Sequence, residues 1–213
     1  MVYYTSRQIK GAIIKADFRN FCKKELMSLS RGSNSKDKRV NAILKKEILN
    51  LKSKNILLYC PIEMELNIYP LIYWLKKQRE IKIFIPYVEG VSFKMIPFRL
   101  PLTKNKYGIF ESEKSLFDLI KIDTAIVPFI GIDRDFRRIG FGKGMYDRFF
   151  ANLSYRPNII FVSRKVIYSK EKITDGHDIV GDIVISEGCK LKRGINGRIL
   201  GDRFYNIWSN RGY

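Results

Sequence analysis

The sequence is poor in several residue types, and each shortage excludes a class of protein. The 213 residues include three cysteines, Cys22, Cys60 and Cys189, which are widely spaced and form no C-x-x-C pair. This argues against a disulfide framework or a zinc site and predicts a reducing, cytoplasmic location. No apolar run approaches the roughly 18 residues of a membrane span, so we expect no membrane partner. The N-terminus MVYYTSRQIK lacks the apolar core of a signal peptide.

Acidic residues are scarce as well. The chain has 21 Asp and Glu against 40 Lys and Arg, a formal net charge of +19, and residues 1–54 alone hold 14 basic against 4 acidic residues. Such a balance is typical of nucleic-acid-binding proteins. The basic residues lie on predicted amphipathic helices, however, where a charge run is usually a solvated face, and we find no nucleic-acid motif. A polyanionic substrate explains the sign of the charge equally well.

Helix and strand patterns alternate along the chain. Helices are predicted over 6–29 (with Ser6 as its cap), 35–53, 67–78, 112–121 and 143–154, and strands over 55–60, 81–86, 91–98, 123–128, 159–163 and 182–186, with a loop at 99–111. This order predicts an α/β fold: a mostly parallel sheet flanked by helices on both faces, a Rossmann-like three-layer architecture. We expect one α/β domain over 1–187. The basic C-terminal extension 188–213 either docks irregularly or is mobile.

Ligands of such sheets bind outside the carboxyl ends of the strands. Three segments fall there: 61–65, 129–147 and the turn near Asp178. The middle segment is the most informative, because Gly140, Gly142 and Gly144 alternate in RIGFGKGMYD. Glycines allow backbone N–H groups to approach an anion, and the helix that follows adds a partial positive charge.

Charged residues surround these glycines. Arg138 and Lys143 can neutralise phosphate, and Asp147 can hold a cation that bridges phosphates. The loop is not a Walker motif, because Met145 follows GKG where that motif has Ser or Thr, and it is not G-x-G-x-x-G. A phosphate or nucleotide loop and a plain solvated turn are therefore both open on the glycines alone.

The longer string is more specific. Val127-Pro128, Ile132-Asp133 and the run from Arg138 to Asp147 resemble the signature of 5-formyltetrahydrofolate cyclo-ligases, also called 5,10-methenyltetrahydrofolate synthetases. That signature is Val-Pro or Met-Pro, then Phe-Asp, then Arg-Leu-Gly-x-Gly-x-Gly-Tyr-Tyr-Asp. The resemblance spans about residues 10–187. It implies cyclisation of 5-formyltetrahydrofolate, polyglutamylated forms included, to 5,10-methenyltetrahydrofolate. It also implies ATP as the co-substrate and Mg²⁺ as the cofactor. The N5-formyl group is phosphorylated in the implied reaction, and ADP and phosphate are released. We expect a monomer.

The resemblance also implies an ATP site. Lys15 and Arg19 lie four positions apart, on one face of the first helix, and match the family's Lys-x-x-Leu-Arg, whose two cations contact ATP phosphates. By spacing alone, such a pair is most often solvated surface. The implied ATP-binding residues are Lys15, Arg19, Arg138, Gly140, Phe141, Gly142, Lys143, Gly144, Met145 and Tyr146. Lys15, Arg19, Arg138 and Lys143 are the implied catalytic cations.

The implied folate site begins after the strand LLYC. The pattern Tyr59, Pro61, Glu65 and Leu66 matches the family's Tyr-x-Pro-x-x-x-Glu-Val, whose glutamate binds the folate. A carboxylate can accept paired hydrogen bonds from the N–H groups of a pterin. Glu63 is the competing residue, and an exposed loop glutamate is the alternative. The implied substrate-binding residues are Cys60 (a packing residue, not a nucleophile), Glu65, Phe141, Gly142, Lys143, Gly144 and Met145.

The implied metal ligands are Asp147 and Asp178, with Asp182 in reserve, because hard carboxylate oxygens suit Mg²⁺. His177, the only histidine, would alone suggest a general base, but a turn residue is the favoured interpretation.

Two positions depart from the family pattern. Phe136 stands where the family has Gly in a turn, so we expect the turn to change shape, and Met145 stands where it has Tyr. Two alternatives stay open: a basic nucleotide- or RNA-binding module on the same fold without the activity, and a different small-molecule ATP enzyme.

Overall fold

The computed structural model describes residues 2–4, 15–29, 34–113, 120–194 and 199–201, which form a mixed α/β fold. Four helices lie in these ranges: α1 (Lys15–Ser28), α2 (Asn34–Asn50), α3 (Tyr69–Lys76) and α4 (Met145–Ala151). The strands are β1 (Val2–Tyr4), β2 (Asn55–Leu57), β3 (Lys82–Glu89), β4 (Ser92–Pro97), β5 (Leu102–Lys104), β6 (Phe110–Ser112), β7 (Thr124–Pro128), β8 (Gly131–Asp133), β9 (Arg138–Ile139), β10 (Asn158–Val162), β11 (Ile167–Ser169), β12 (Ile183–Ser186), β13 (Cys189–Arg193) and β14 (Ile199–Gly201).

The main sheet is mixed and eight-stranded, in the order β14-β13-β12-β10-β7-β2-β3-β4. Its five middle strands, from β12 to β3, are parallel, and antiparallel strands close both edges. The chain runs outward from β2 to β3 on one side and from β7 through β10 to β12 on the other. The strand order therefore reverses between β2 and β7, and ligands of open α/β sheets bind at such a switch point.

Two smaller sheets flank the carboxyl end of β7. One has the order β1-β11-β8-β9, and the other is the hairpin of β5 and β6. The chain leaves β7 at Pro128, forms the antiparallel pair β8–β9, and then enters the glycine loop. Because β8 also pairs with β11, this second sheet fixes the segment between the switch point and the glycine loop.

Alternate residues of the buried strands enter two apolar clusters, as period-two side chains should. Ile56, Ile126 and Ile160 pack with α2 and α3. Leu57, Val127 and Phe161 pack with Phe149 of α4 on the other cluster. The apolar stripe of α1, here Phe18, Cys22 and Leu26, forms a third cluster with Ile130, Ile139 and Ile167, close to the second sheet. The three-layer arrangement with helices on both faces stays a prediction.

Most predicted elements exist, with ends displaced by a few residues. The loop prediction for 99–111 is wrong, because this segment holds β5 and β6. The short strands β8, β9 and β11 were not predicted. β13 continues the main sheet beyond residue 187, so this part of the extension is regular, and the domain division stays a prediction. Three features lie wholly or largely outside the described residues: the helix start at 6–14 with its Ser6 cap, most of the helix 112–121 and the tail 202–213.

Phe136 adopts the left-handed conformation, with φ of 60°, which L side chains disfavour. The expected change in the shape of the turn stays a prediction. The Phe136 ring is 1% exposed and packs in the apolar cluster that also contains Val127, Phe149 and Phe161. Burial of an aromatic ring is worth more than the strain of about 1–2 kcal/mol, so the ring holds a backbone conformation that phenylalanine disfavours.

Among the helices of the described ranges, none is both long and apolar enough to cross a bilayer.

Among the described residues, two that are not glycine have positive φ, and their substitution by glycine should have opposite effects on stability. Lys52, with φ of 51°, is exposed just after α2. Lys52→Gly should raise the free energy of unfolding by about 0.5–1 kcal/mol, because glycine suits this end of a helix. Phe136→Gly should lower it by about 3 kcal/mol, because the lost ring outweighs the relieved strain. Urea unfolding measures both, and a stabilised Phe136→Gly variant would contradict the balance described above.

Candidate active site

A cavity of about 570 Å³ opens at the switch point between β2 and β7. Four parts of the chain line it: the first turns of α1, the segment after β2, the glycine loop with α4, and the turn at His177 and Asp178. The β3–β4 strands and the β5–β6 hairpin complete its wall through Val88, Phe93 and Tyr107. The three segments predicted to converge at the strand ends therefore do converge.

The glycine loop needs glycine at two of its three alternating positions for backbone reasons. Gly142 and Gly144 have φ of 113° and 60°, conformations that side chains disfavour. Gly140 is needed for space, because a Cβ there would lie 2.6 Å from the Arg138 guanidinium. The loop can therefore follow the cavity wall closely, with the Arg138 side chain packed underneath it.

Arg138 is the most buried cation of the cavity wall. Its Nη1 donates to the carbonyl of Pro128 at 3.2 Å, and its Nη2 donates to Asp147 Oδ2 at 3.2 Å. The guanidinium also lies 5.0 Å from the ring centre of Tyr146. Its buried Nε has no partner among the described residues. An unpaired buried donor is costly, so this group is suited to an additional acceptor.

Lys15 and Arg19 both reach the site from α1, as their four-residue spacing predicts. Lys15 Nζ lies 2.5 Å from Asp178 Oδ2 and 3.0 Å from Asp175 Oδ2. Partial burial alone would lower the pKa of Lys15, but the hydrogen bonds to the two carboxylates outweigh it and raise the pKa above the usual value. Arg19 Nε donates to the carbonyl of Gly140 at 3.1 Å, which ties α1 to the glycine loop.

Asp147 and Asp178 are neighbours in space. Asp147 Oδ1 accepts the N–H of Ile179 at 3.2 Å, and because Ile179 directly follows Asp178, the two carboxylates lie within about 9 Å of each other. Each carboxylate keeps lone pairs beyond the hydrogen bonds it accepts, so the donor set fits a hard cation such as Mg²⁺. The Lys15 ammonium occupies one Asp178 oxygen, however, so an ion would have to use the other oxygen or displace the ammonium.

The reserve ligand and the lone histidine lie differently. Asp182 binds Arg156 at 2.8 Å and the N–H of Ile159 at 2.8 Å, and it does not line the cavity. His177 is exposed at the cavity rim, beside Asp175 and Asp178. A turn residue remains the simplest interpretation of this histidine.

Glu65 lies in an apolar part of the cavity. Its Oε2 accepts the N–H of Ile62 at 3.0 Å, and Tyr59 and Cys60 line the wall beside it. Burial raises the pKa of Glu65 to about 7, against the opposing effects of the Ile62 N–H and of Arg138 and Arg164. Burial likewise raises the pKa of the Cys60 thiol to about 12, so it stays protonated and unreactive. The competitor Glu63 is exposed and does not line the cavity.

Lys143 projects from the tip of the glycine loop. It is exposed, and its ammonium lies 3.8 Å from the ring centre of Tyr107 in the turn between β5 and β6. Tyr107, Phe93 and Val88 are wall residues that the sequence interpretation missed. The only available signal for the hairpin was Asn105 followed by Gly108, a turn pattern in a segment predicted as loop.

A second missed residue is Asp133, which is fully buried. One of its oxygens accepts the N–H groups of Asp135 and Arg137, and the other accepts those of Ile173 and Thr174 together with the Thr174 hydroxyl. This carboxylate therefore connects the segment before Arg138 to the turn that carries Asp178. It matched the family's Phe-Asp pair in the sequence, but its neighbours in space are 40 residues away.

Every predicted site residue lines this one cavity. The set is Lys15, Arg19, Cys60, Glu65, Arg138, Gly140, Phe141, Gly142, Lys143, Gly144, Met145, Tyr146, Asp147 and Asp178. Cations and glycines lie along the loop and α1, and Glu65 lies apart from them among apolar groups. The arrangement can hold a ligand that has a polyanionic part and a flat, N–H-bearing part. The role of each residue stays a prediction.

Comparisons with known proteins agree on one family. The model of the 5-formyltetrahydrofolate cyclo-ligase family matches residues 14–173. A 5-formyltetrahydrofolate cyclo-ligase of Mycoplasma pneumoniae is 26% identical over 137 residues, which cover 63% of this chain and 73% of that protein. A Haemophilus influenzae protein of the same name is 27% identical over 109 residues, covering 47% of this chain and 58% of its own length.

Solved structures show the same similarity. The NMR structure of Aquifex aeolicus 5,10-methenyltetrahydrofolate synthetase superposes with a TM-score of 0.70 and 25% identity, covering 90% of this chain and 98% of that one. The structure of a Mycoplasma pneumoniae 5,10-methenyltetrahydrofolate synthetase gives a TM-score of 0.64 at 24% identity, covering 81% and 98%, and supports the fold alone.

Because Glu65 is buried, its replacement by a neutral side chain should stabilise the fold, and the size of this effect should depend on pH. The raised pKa means that between pH 4.5 and about 7 the unfolded chain loses this proton while the folded chain keeps it, so the folded state loses stability as pH rises. Glu65→Gln should remove that loss. Its unfolding free energy should match the parent at pH 4.5 and exceed it by about 2 kcal/mol at pH 8.

Urea unfolding at the two pH values measures this difference. The control is Glu63→Gln, in which the neighbouring exposed carboxylate is neutralised and no such gain is expected. An equal gain for both variants, or none for Glu65→Gln, would show that Glu65 is well solvated in the cavity.

Proposed function

Since the chain belongs to the 5-formyltetrahydrofolate cyclo-ligase family, we propose that it is a ligase that uses ATP to cyclise 5-formyltetrahydrofolate to 5,10-methenyltetrahydrofolate. One observation carries the proposal for this chain. One cavity at the switch point is lined by Lys15, Arg19, Arg138 and Lys143 together with a carboxylate, Glu65, in its apolar part. These are the groups that a triphosphate and a pterin require. A cytoplasmic monomer remains our expectation.

The chemistry proposed for this site is phosphoryl transfer followed by ring closure. The formyl oxygen on N5 attacks the γ-phosphorus of ATP, and the bond to the β–γ bridging oxygen breaks to release ADP. The resulting N5-iminium phosphate is attacked at carbon by N10. The C–O bond then breaks, phosphate departs and N10 loses its proton, which gives the methenyl product. Neither step needs an enzyme nucleophile, and positioning with charge neutralisation supplies most of the acceleration.

The cations are placed to offset the charge of the phosphates. Arg138 is held beneath the glycine loop by Pro128 and Asp147, and Lys143 is exposed at the loop tip, over the ring of Tyr107. Lys15 and Arg19 reach the cavity from α1. Together these cations can neutralise the γ-phosphoryl group as it moves from ADP to the formyl oxygen. The loop backbone supplies further N–H donors at close range.

Glu65 is the proposed pterin ligand. Its carboxylate lies in an apolar part of the cavity, where hydrogen bonds from the ring N–H groups would satisfy the remaining oxygen lone pairs. Aromatic and apolar wall residues beside it, Tyr59, Phe93 and Met145, suit a flat ring. Met145 packs there without offering the hydroxyl that the family's tyrosine carries.

Mg²⁺ would be held by Asp147 and Asp178, whose carboxylates lie within about 9 Å of each other and line the same cavity. When bound beside the phosphates, a divalent ion supplies charge neutralisation for the leaving ADP. The chain's own part is orientation. Arg138 and the Ile179 N–H fix the Asp147 carboxylate, and the Asp175 N–H, at 2.7 Å, fixes that of Asp178.

One observation supports the alternative of an RNA-binding module. On α2, both carboxylates, Asp37 and Glu47, are buried and ion-paired, whereas Lys38 and Lys46 are exposed. The charged residues exposed on α2 are therefore basic, although Glu187 pairs with Lys36 and Arg39, and this favours polyanion binding. The enzyme assay below separates the two functions, because a module without the activity would not turn over folate.

The activity itself is the first test. Purified protein given 5-formyltetrahydrofolate, ATP and Mg²⁺ should form 5,10-methenyltetrahydrofolate, followed by its near-ultraviolet absorption, with one ADP released per product. Omission of ATP, or addition of a chelator of divalent ions, should abolish the signal. ATP-independent conversion, or no conversion at all by folded protein, would overturn the proposal.

Lys143 provides the test of the phosphate loop. Lys143→Ala should lower turnover at least tenfold, about 1.4 kcal/mol of transition-state stabilisation, without loss of fold. The matched control is Lys104→Ala. Lys104 is also exposed and also lies over an aromatic ring, that of Phe110, but it does not line the cavity. Near-normal turnover of the Lys143 variant, or an equal loss in the control, would show that the loop tip is not the phosphate site.

A further inference from the structure

The segment that carries Glu65 is held in place by buried polar side chains from other parts of the chain. This segment, residues 61–68, has no regular structure, and side chains from outside it bond its backbone at three points. Arg164 Nη1 donates to the carbonyl of Glu63 at 3.0 Å, and Tyr59 Oη donates to that of Leu66 at 2.8 Å. At Asn67, the N–H donates to Asp37 Oδ2 at 3.2 Å and the carbonyl accepts from Asn41 Nδ2 at 2.9 Å.

Arg164 and Asp37 join these points into one unit. They form a bidentate ion pair, Nε to Oδ1 at 3.0 Å and Nη2 to Oδ2 at 3.1 Å, and both side chains are 6% exposed. Arg164 comes from the end of β10, and Asp37 from the first turn of α2. The pair therefore fastens the Glu65 segment to two separate elements of the fold. Neither residue lines the cavity, so neither touches a ligand there.

A buried ion pair is poor evidence for stability, because desolvation of both charges offsets their attraction. The informative feature of this pair is its geometry, which fixes the orientation of the guanidinium. The planar guanidinium uses two nitrogens on the carboxylate and the third on the Glu63 carbonyl, so the direction of the pair fixes the position of the segment. A lysine could not make these three bonds at once.

We propose that Arg164, oriented by Asp37, is a positioning residue that sets folate affinity by holding the Glu65 carboxylate at its place in the cavity. This inference rests on the proposed function. It separates two contributions to the site: groups along the glycine loop that govern ATP, and a buried clamp under residues 61–68 that governs only the folate.

Arg164 also acts on Glu65 through charge. The groups that face Glu65 are Tyr59, Cys60, Arg138, Tyr146 and Arg164, and the two arginines lower its pKa against the larger effect of burial. Loss of Arg164 should therefore raise the pKa of Glu65 further. A residue that served only to fold the chain would leave this titration unchanged.

The test measures KM for both substrates in variants of the full chain. Arg164→Gln should raise the folate KM at least tenfold and leave the ATP KM within twofold, and Arg164→Lys should lie between Gln and the parent. The acid limb of kcat/KM for folate should move to higher pH. The control is Arg156→Gln. Arg156 likewise forms an ion pair, with Asp182, and donates a hydrogen bond to a backbone carbonyl, that of Val180, but it lies away from residues 61–68. It should change neither KM.

A second variant guards against misfolding. Asp37→Leu with Arg164→Met replaces the pair by apolar side chains, which is often neutral or stabilising, yet it removes the bonds to Glu63 and Asn67. It should be folded and show the same raised folate KM. A folded double variant with a normal folate KM, or a parallel rise in both KM values, would overturn the inference.

Failure of the proposed function gives a different result. If the parent protein shows no cyclo-ligase activity, the gain in unfolding free energy from Glu65→Gln at pH 8 still reports on the clamp. In the Arg164→Gln background this gain should be larger than in the parent. An equal gain in the two backgrounds would show that Arg164 does not act on Glu65.

Discussion

The buried guanidinium of Arg138 is the interaction on which the site depends most. It connects the carbonyl at the end of β7 to the carboxylate of Asp147 in the first turn of α4, with the glycine loop passing over it. Burial of a charge is costly unless the charge is paired and hydrogen-bonded, and for Arg138 the carbonyl of Pro128 and the carboxylate of Asp147 are these partners. The loop, the strand end and the helix must therefore hold a fixed relation to one another, and Gly140 has no Cβ because the guanidinium fills that space. The remaining cations of the site are arranged around this fixed point.

The sequence predicts those parts of the fold that carry a local apolar pattern. The stripe of α1 is periodic, and β2, β7 and β10 lie in continuous apolar runs, so these elements exist close to their predicted places. The short strands β8, β9 and β11 are two or three residues long, so no period can be seen in them. They exist because their partners in space complete the backbone hydrogen bonds, which a local pattern cannot show.

The prediction of the site residues also succeeds where the signal is local and fails where it depends on partners distant in sequence. Residues in a dense string, from Arg138 to Asp147, can be found from the string itself. Glu65 and Asp178 follow strands whose ends must meet. Asp133 and Arg164, in contrast, act through partners 40 and 127 residues away, and only their burial reveals them. At Phe136, the cost of a positive φ can be read from the residue type, but the core packing of the ring that outweighs this cost cannot.

In the ion pair between Lys15 and Asp178, a carboxylate of the protein already takes the position that an anionic ligand would take beside the Lys15 ammonium. Without a bound anion, the cationic side chains of the site repel one another. At Lys15, the carboxylates of Asp178 and Asp175 offset part of this repulsion. A phosphate that takes the ammonium must therefore displace a carboxylate, and the affinity reflects the difference between two ion pairs and not the full strength of one. Added salt weakens both pairs together. The binding of a polyanion to this site should accordingly depend on ionic strength less steeply than the number of its cations alone would suggest.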